Sequence, residues 1–221
     1  MRGLAITGGE GPERQALKKI AALADLIAAA DSGLASCEEA EIAPDWIVGD
    51  MDSLDDIRRL DKYPPEKVIR YPAGKDFSDT ELALSLLWEK GCGELWVSGG
   101  GGGRTDHLLA IRSLFERQKT PDRWFTACEE IFAVKDGQTL RVDAAEGSVV
   151  SVFPLGSPPW QAESSGLKWP VNGVAWENGG FSLSNVAEKS TFELRSISGK
   201  FMLIVYKTPT ERGAVYGGNS Y

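Results

Sequence analysis

The chain predicts an α/β fold in two parts: an N-terminal three-layer α/β/α domain with a mainly parallel sheet over residues 1–130, then a C-terminal all-β sandwich over residues 131–221. Three observations carry this. Up to about residue 130, short apolar runs alternate with helix-period patterns, the rhythm of strands joined by helical crossovers. Beyond it the helical period stops, and short β-rich runs are separated by Gly, Pro, Asn and Ser. Acidic residues (Asp31, Asp50, Asp52, Asp79 and Asp106) recur where apolar runs end, and in such a sheet ligands bind outside the carboxyl ends of the strands.

The elements follow in order. Residues 4–7 make a first strand, closed by Gly8-Gly9-Glu10-Gly11-Pro12. Residues 13–24 are helical in pattern, with Ala16, Leu17, Ile20 and Leu23 on one face. A second strand, 26–30, ends at Asp31-Ser32-Gly33, and a third, 46–48, ends at Gly49-Asp50. Ser53 is placed to cap a short helix with Asp55 and Asp56 in its first turn. After a fourth strand at 68–71, Ser78-Asp79-Thr80-Glu81 has the form of a capping box and opens a helix to about Lys90, stopped by Gly91. A fifth strand at 95–98 runs into five glycines, a helix from about 105 to 119, and a sixth strand at 124–128. In the second part the β runs are 139–142, 148–153, 180–184, 191–196 and 201–206, and residues 210–221 read as a loosely held end.

Composition narrows the partners. A formal net charge of −8 argues against nucleic acid as a main partner, because phosphate backbones need a basic footprint. A nucleotide is still admissible, since Mg²⁺ and a few local cations can carry its phosphates. Three scattered cysteines match no zinc spacing and cannot all pair, which favours a reducing compartment. With no secretory signal and no apolar run long enough to span a bilayer, the sequence reads as cytoplasmic, with no membrane partner.

Chemistry concentrates in two motifs. In Gly49-Asp50-Met51-Asp52-Ser53, residues i and i+2 of an extended segment point the same way, so Asp50 and Asp52 can share one hard cation such as Mg²⁺. The same residues also suit a plain strand-to-helix turn. In Ser98-Gly99-Gly100-Gly101-Gly102-Gly103-Arg104-Thr105-Asp106-His107, glycines before a helix let backbone N–H groups curl around an anion, and Arg104 can add a bidentate contact. No Gly-Lys-Ser/Thr closes the run, so it is not a P-loop. His107 alone is more often a helix residue than a catalyst. Trp160, Trp169 and Trp176 are core or surface-patch residues, or platforms for a flat heteroaromatic ligand. Ser182 and Ser184 would share one face of a strand.

In order and spacing, Ala30-Asp31-Ser32-Gly33, Pro44 to Ser53, Lys75-Asp76-Phe77-Ser78-Asp79-Thr80-Glu81, Gly103 to His107, Gly166-Leu167-Lys168-Trp169-Pro170 and Ser182-Leu183-Ser184-Asn185 resemble the thiamine pyrophosphokinases over nearly the whole chain. The resemblance implies a homodimer with active sites at the subunit interface. It implies Mg²⁺-dependent transfer of pyrophosphate from ATP to the hydroxyl of thiamine, giving thiamine diphosphate and AMP. Carried over, Asp50, Asp52 and Asp79 hold Mg²⁺, with Asp31 beside them. Lys75, Gly102, Gly103 and Arg104 meet the triphosphate, Asp106 sits near the attacking hydroxyl, and Trp169, Ser184 and Asn185 hold thiamine. Two departures stand out: Ile111 where many relatives carry Asn, so that any polar role there is lost, and Ser78 where threonine is common.

Two other readings compete. A sugar-nucleotide glycosyltransferase also uses Asp-x-Asp at a strand end, but leaves the glycine loop with Arg104 unexplained. A non-enzymatic binder of heteroaromatics would need no arginine beside a glycine loop. Release of AMP separates all three.

Overall fold

The computed structural model describes residues 1–207 apart from 55, 73 and 75, and its chain divides into two compact units, Met1–Ala127 and Cys128–Tyr221. The expected loose end at 210–221, Asp55 and Lys75 lie outside the described residues.

In the first unit, β1 (Arg2–Ile6), β2 (Leu26–Ala30), β3 (Trp46–Gly49), β4 (Val68–Arg70), β5 (Glu94–Ser98) and β6 (Arg123–Phe125) pair in the order β6-β5-β1-β2-β3-β4, every pair parallel. The strands read Leu-Ile-Ala-Ala-Ala or Trp-Ile-Val-Gly because strands covered on both faces need no polar alternation. From β1 the chain winds outward to β4, then returns beside β1 as β5. The topological switch point therefore lies between β1 and β5, where a crevice opens outside the carboxyl ends.

Four α-helices connect these strands: α1 (Arg14–Ala21), α2 (Gly33–Glu39), α3 (Asp79–Glu89) and α4 (Thr105–Leu114). Helix α1 buries Ala16, Leu17, Ile20 and Ala21. Helix α3 packs on β1, β2 and β3, and α2 on β1 and β2. The Ser78 hydroxyl accepts the Glu81 N–H at 3.3 Å, as a capping box requires, so serine serves as the N-cap here.

Three expectations need correction. The helix expected to be capped by Ser53 is instead a 3₁₀ segment, Ile57–Lys62, capped by Asp56, whose carboxylate accepts the Arg58 N–H at 3.0 Å. Helix α4 stops at Leu114, where the chain tightens into i→i+3 turns and the Thr120 hydroxyl donates to the Phe115 carbonyl at 2.9 Å. Helix α2 escaped the sequence reading because its seven residues, Gly33–Glu39, are mostly small and span two turns, too few to reveal a helical period.

The second unit is a β-sandwich. One antiparallel sheet runs β11-β9-β13-β7, from β7 (Glu129–Val134), β9 (Val149–Leu155), β11 (Ser182–Val186) and β13 (Lys200–Tyr206). The other runs β10-β12-β8, from β8 (Thr139–Asp143), β10 (Gln161–Ser165) and β12 (Thr191–Ser198). Phe132, Val152, Phe192, Leu194, Phe201 and Leu203 fill the space between them. Strands β7 and β10 went unread: Cys128-Glu129-Glu130 looks polar, and Gln161–Ser165 carries no β-branched residue. Among the described residues, no helix is long and apolar enough to cross a membrane.

Candidate active site

The segments that follow β1, β2, β3, β4 and β5 at the carboxyl edge of the first sheet all reach one cavity of about 850 Å³. Its lining includes Asp31 after β2, Asp50 and Asp52 after β3, Asp79 at the start of α3, and Gly102, Gly103 and Arg104 between β5 and α4. One carboxylate oxygen from each of Asp31, Asp50 and Asp79 lies within 4.8 Å of the others. Asp31 is buried, adopts the left-handed φ of +46° that few non-glycine residues take, and its Oδ1 has no hydrogen-bond partner among the described residues. A strained, buried carboxylate facing two more is a site that asks for a cation. Oxygen-only donors fit Mg²⁺, whose opposite ligands in an octahedron stand ~4.2 Å apart.

Asp52 does not join that trio. Between the two acids Met51 takes φ +66° and turns its side chain into the core, so the segment is not extended and the i, i+2 alignment fails. Asp52 lies on the exposed loop, its N–H 3.4 Å from Asp50 Oδ1 and its own Oδ1 accepting from Ser53 Oγ at 3.0 Å. Asp31, expected beside the metal group, is one of its three closest carboxylates instead.

The glycine run is divided in its work. The N–H groups of Gly99, Gly100 and Gly101 donate to the carbonyls of Phe125, Gly8 and Glu10 at 3.0, 2.7 and 2.9 Å, and the Glu10 N–H returns to Gly101 at 2.7 Å. Gly100 and Gly101 zip the run to the loop after β1 and Gly99 ties it to the end of β6, so these three N–H groups are not available to an anion. Gly102 and Gly103, both at positive φ, make no such backbone bond among the described residues and face the cavity. Ile111 explains the departure noted above. It is buried, and its Cδ1 would stand 2.1 Å from a Cβ at Gly100, so it packs directly under the run.

Arg104 caps this edge with its guanidinium turned onto Asp106: Nη2 to Oδ2 is 2.5 Å and Nε to Oδ1 is 3.1 Å. That hydrogen-bonded arginine holds the Asp106 carboxyl below the usual range and pushes Arg104 further up. Asp106 is therefore a weak base until Arg104 turns away. His107 lines the cavity, its N–H donating to Asp106 Oδ1 at 3.0 Å. Two contributors escaped the sequence reading. Thr80 is buried at the cavity wall with its hydroxyl 2.8 Å from that of Thr7, and Gly49 underlies Asp31 and Asp79. Lys75 lies outside the described residues.

In the second unit Trp176 is core, edge-on to Phe201 at 4.9 Å, and Trp160 is half-buried, donating to the Leu155 carbonyl at 2.9 Å. Trp169 is 54% exposed, with the Lys168 ammonium 4.8 Å from its ring centroid. Asn185 is buried. Its amide accepts the N–H groups of Trp169 (3.1 Å) and Val186 (2.8 Å) and donates to the Trp169 carbonyl (2.6 Å). Its geometry is that of a clamp on the Trp169 backbone. The shared face expected for Ser182 and Ser184 is broken by a bulge between Ser182 and Asn185, with Ser184 at φ +55°. Ser184 itself is exposed. Asn185→Ala is expected to cost about 1–3 kcal/mol, because it removes the partner of part-buried backbone groups of Trp169 and Val186; urea unfolding checks it.

Comparison with known proteins supplies the family. Residues 17–123 match the family model "Thiamin pyrophosphokinase, catalytic domain", and residues 137–198 match "Thiamin pyrophosphokinase, vitamin B1 binding domain". The chain is 37% identical over 147 residues to a thiamine pyrophosphokinase of Bacillus subtilis (strain 168), covering 64% of this chain and 68% of that protein. In fold it is similar to a crystal structure of a thiamin pyrophosphokinase family protein from Enterococcus faecalis, with TM-score 0.76 and 23% identity over 94% of this chain and 100% of that one. A thiamin pyrophosphokinase structure from Geobacillus thermodenitrificans superposes with TM-score 0.73 at 23% identity, covering 95% and 99%. Two family halves matched in the same order, together with that identity to the Bacillus protein, show that the chain belongs to the thiamine pyrophosphokinase family.

Proposed function

We propose that this chain is a thiamine diphosphokinase that uses the cavity of Asp31, Asp50 and Asp79 to transfer pyrophosphate from ATP to thiamine, giving thiamine diphosphate and AMP. One observation carries the placement: three carboxylates, two glycine N–H groups and one arginine converge on a single cavity at the sheet's switch point. The glycosyltransferase and non-enzymatic alternatives lose their support with family membership. Incubation with ATP, Mg²⁺ and thiamine, followed by assay for thiamine diphosphate and AMP, tests the reaction. Release of ADP or of inorganic pyrophosphate in place of AMP would overturn it.

Asp31, Asp50 and Asp79 would hold Mg²⁺, and Asp52 lines the same cavity from the adjoining loop. Bound there, the ion neutralises phosphate charge and makes an acidic cavity tolerable for ATP. The N–H groups of Gly102 and Gly103 donate to phosphate oxygens, and Arg104 leaves Asp106 to take up the triphosphate. The hydroxyl oxygen of thiamine attacks the β-phosphorus, and the bond from that phosphorus to the oxygen shared with the α-phosphorus breaks. AMP leaves with the electron pair. Asp106, once released from Arg104, would accept the hydroxyl proton.

Arg104→Lys keeps the charge but loses the planar fork. A fall in kcat/KM for ATP of about tenfold to a hundredfold is expected; wild-type kinetics would make Arg104 a surface cation only.

Trp169, with Asn185 holding its backbone and Ser184 nearby in sequence, is proposed to take the flat cationic rings of thiamine in an acidic protein. We also propose a homodimer with sites at the subunit interface, and a cytoplasmic location. Exposed Leu108 and Leu109 on α4 support a covered surface on the first unit, and Phe181 and Leu183 support one on the second. Mixing Asp79→Asn and Trp169→Ala chains is expected to restore activity in heterodimers. If the mixture stays inactive after verified subunit exchange, each site lies within one subunit.

A further inference from the structure

Carboxylates, glycine backbone and an arginine suit phosphate and metal, but they give a nucleobase nothing flat to lie on. Among the described residues Phe77 is the one Phe, Tyr or Trp lining the acid cavity, and it is 54% exposed. Phe77 also walls a second cavity, of about 330 Å³, between α3 and the end of α4. Leu84 and Leu114 form its apolar sides, and Ser85 and Gln118 present a hydroxyl and an amide. Arg117 is ion-paired to Glu81 across this groove, which holds a planar guanidinium in its wall. A volume at the lower end of ligand pockets, apolar sides and a few polar groups make up a site for one heteroaromatic ring system. Another cavity adjoining the phosphate region, about 260 Å³ behind Thr7 and Gly9, is lined by Glu13, Arg14 and Glu39 and has no aromatic side chain.

We infer that the groove entered at Phe77 receives the purine of the nucleotide whose phosphates occupy the acid cavity; this rests on the function proposed above. Phe77 stands at the junction of the two cavities, where the sugar of a nucleotide spanning both would pass. Its ring offers one stacking face, and the guanidinium of Arg117 a second, cationic one. Ser85 and Gln118 are positioned to pair with ring nitrogens or an exocyclic amine, which would give selectivity among bases that a phosphate site alone lacks.

Two variants and two probes test this. Phe77→Ala removes the junction ring from an exposed position, with little risk to folding. Ser85→Trp fills the groove from the half-buried face of α3 without touching the acid cavity. Titration calorimetry with AMP is expected to show binding at least tenfold weaker for both variants. Binding of inorganic tripolyphosphate with Mg²⁺, which needs only the acid cavity, should stay within twofold of wild type. If AMP binds Phe77→Ala as it binds wild type, the base lies elsewhere and the inference falls, whether or not Ser85→Trp folds. An equal loss for AMP and tripolyphosphate would also overturn it, because the variants would then have displaced the acid loop. Both readouts are equilibrium binding. Failure of the wild type to make thiamine diphosphate would therefore count against the proposed function, and the binding data would still judge the groove.

Discussion

Asp79→Asn is expected to lower turnover by about three orders of magnitude while leaving the metal-free protein as stable as the wild type. The loss follows from the chemistry: an amide oxygen replaces one of three carboxylates that must neutralise a divalent ion beside a triphosphate. Stability is held by compensation. Losing a carboxylate from the first turn of α3 costs about 0.3–1 kcal/mol of favourable helix-dipole interaction. Relief of repulsion from Asp31 and Asp50, whose ligand oxygens lie within 4.8 Å, acts in the opposite direction. Thermal melts in EDTA and in excess Mg²⁺ check this. The wild type should melt higher with Mg²⁺, by mass action on the folded state, and the variant should not. An equal Mg²⁺ response in both would place the ion away from Asp79.

Gly49→Ala should be nearly as damaging, though Gly49 bears no functional group. The residue sits at φ +152°, and a Cβ there would stand 3.0 Å from Asp79 Oδ1 and 3.1 Å from Asp31 Cβ. Alanine must therefore either strain the end of β3 or push two of the three acids apart. A destabilisation of about 1–3 kcal/mol is expected from the backbone. A fall in activity of about a hundredfold is expected from misplaced ligands. Mg²⁺ titration of activity tells the two apart. Displaced acids raise the concentration needed for half-maximal rate, whereas a purely structural loss lowers the fraction folded and leaves that midpoint alone.

Several features were legible in the chain because they depend on local rules. Strand–helix alternation, the change to β runs near residue 130, and the Ser78 cap follow from side-chain periodicity and from hydrogen bonds spanning three residues. The placement of acids at strand ends was equally visible, since a parallel sheet brings every strand's carboxyl end to one edge. The order and spacing of motifs were enough to point to the family.

Tertiary structure decided what depends on backbone conformation at single residues and on contacts distant in sequence. Met51 at left-handed φ removes Asp52 from the acid trio, and nothing in Asp-Met-Asp announces that angle. Asp31 enters the trio because β2 pairs with β3, which sets the two strand ends side by side. Hydrogen bonds across about ninety residues, from Gly100 to Gly8 and between Glu10 and Gly101, together with that from Gly99 to Phe125, take three glycines of the run away from any anion and leave Gly102 and Gly103. Asn185 looked like a ligand group, but it is a buried clamp because a chain sixteen residues away folds back to use its whole amide. A side chain's chemistry is written in the sequence. Whether that chemistry faces a ligand or another part of the chain is settled only when packing has assigned each donor and acceptor its partner.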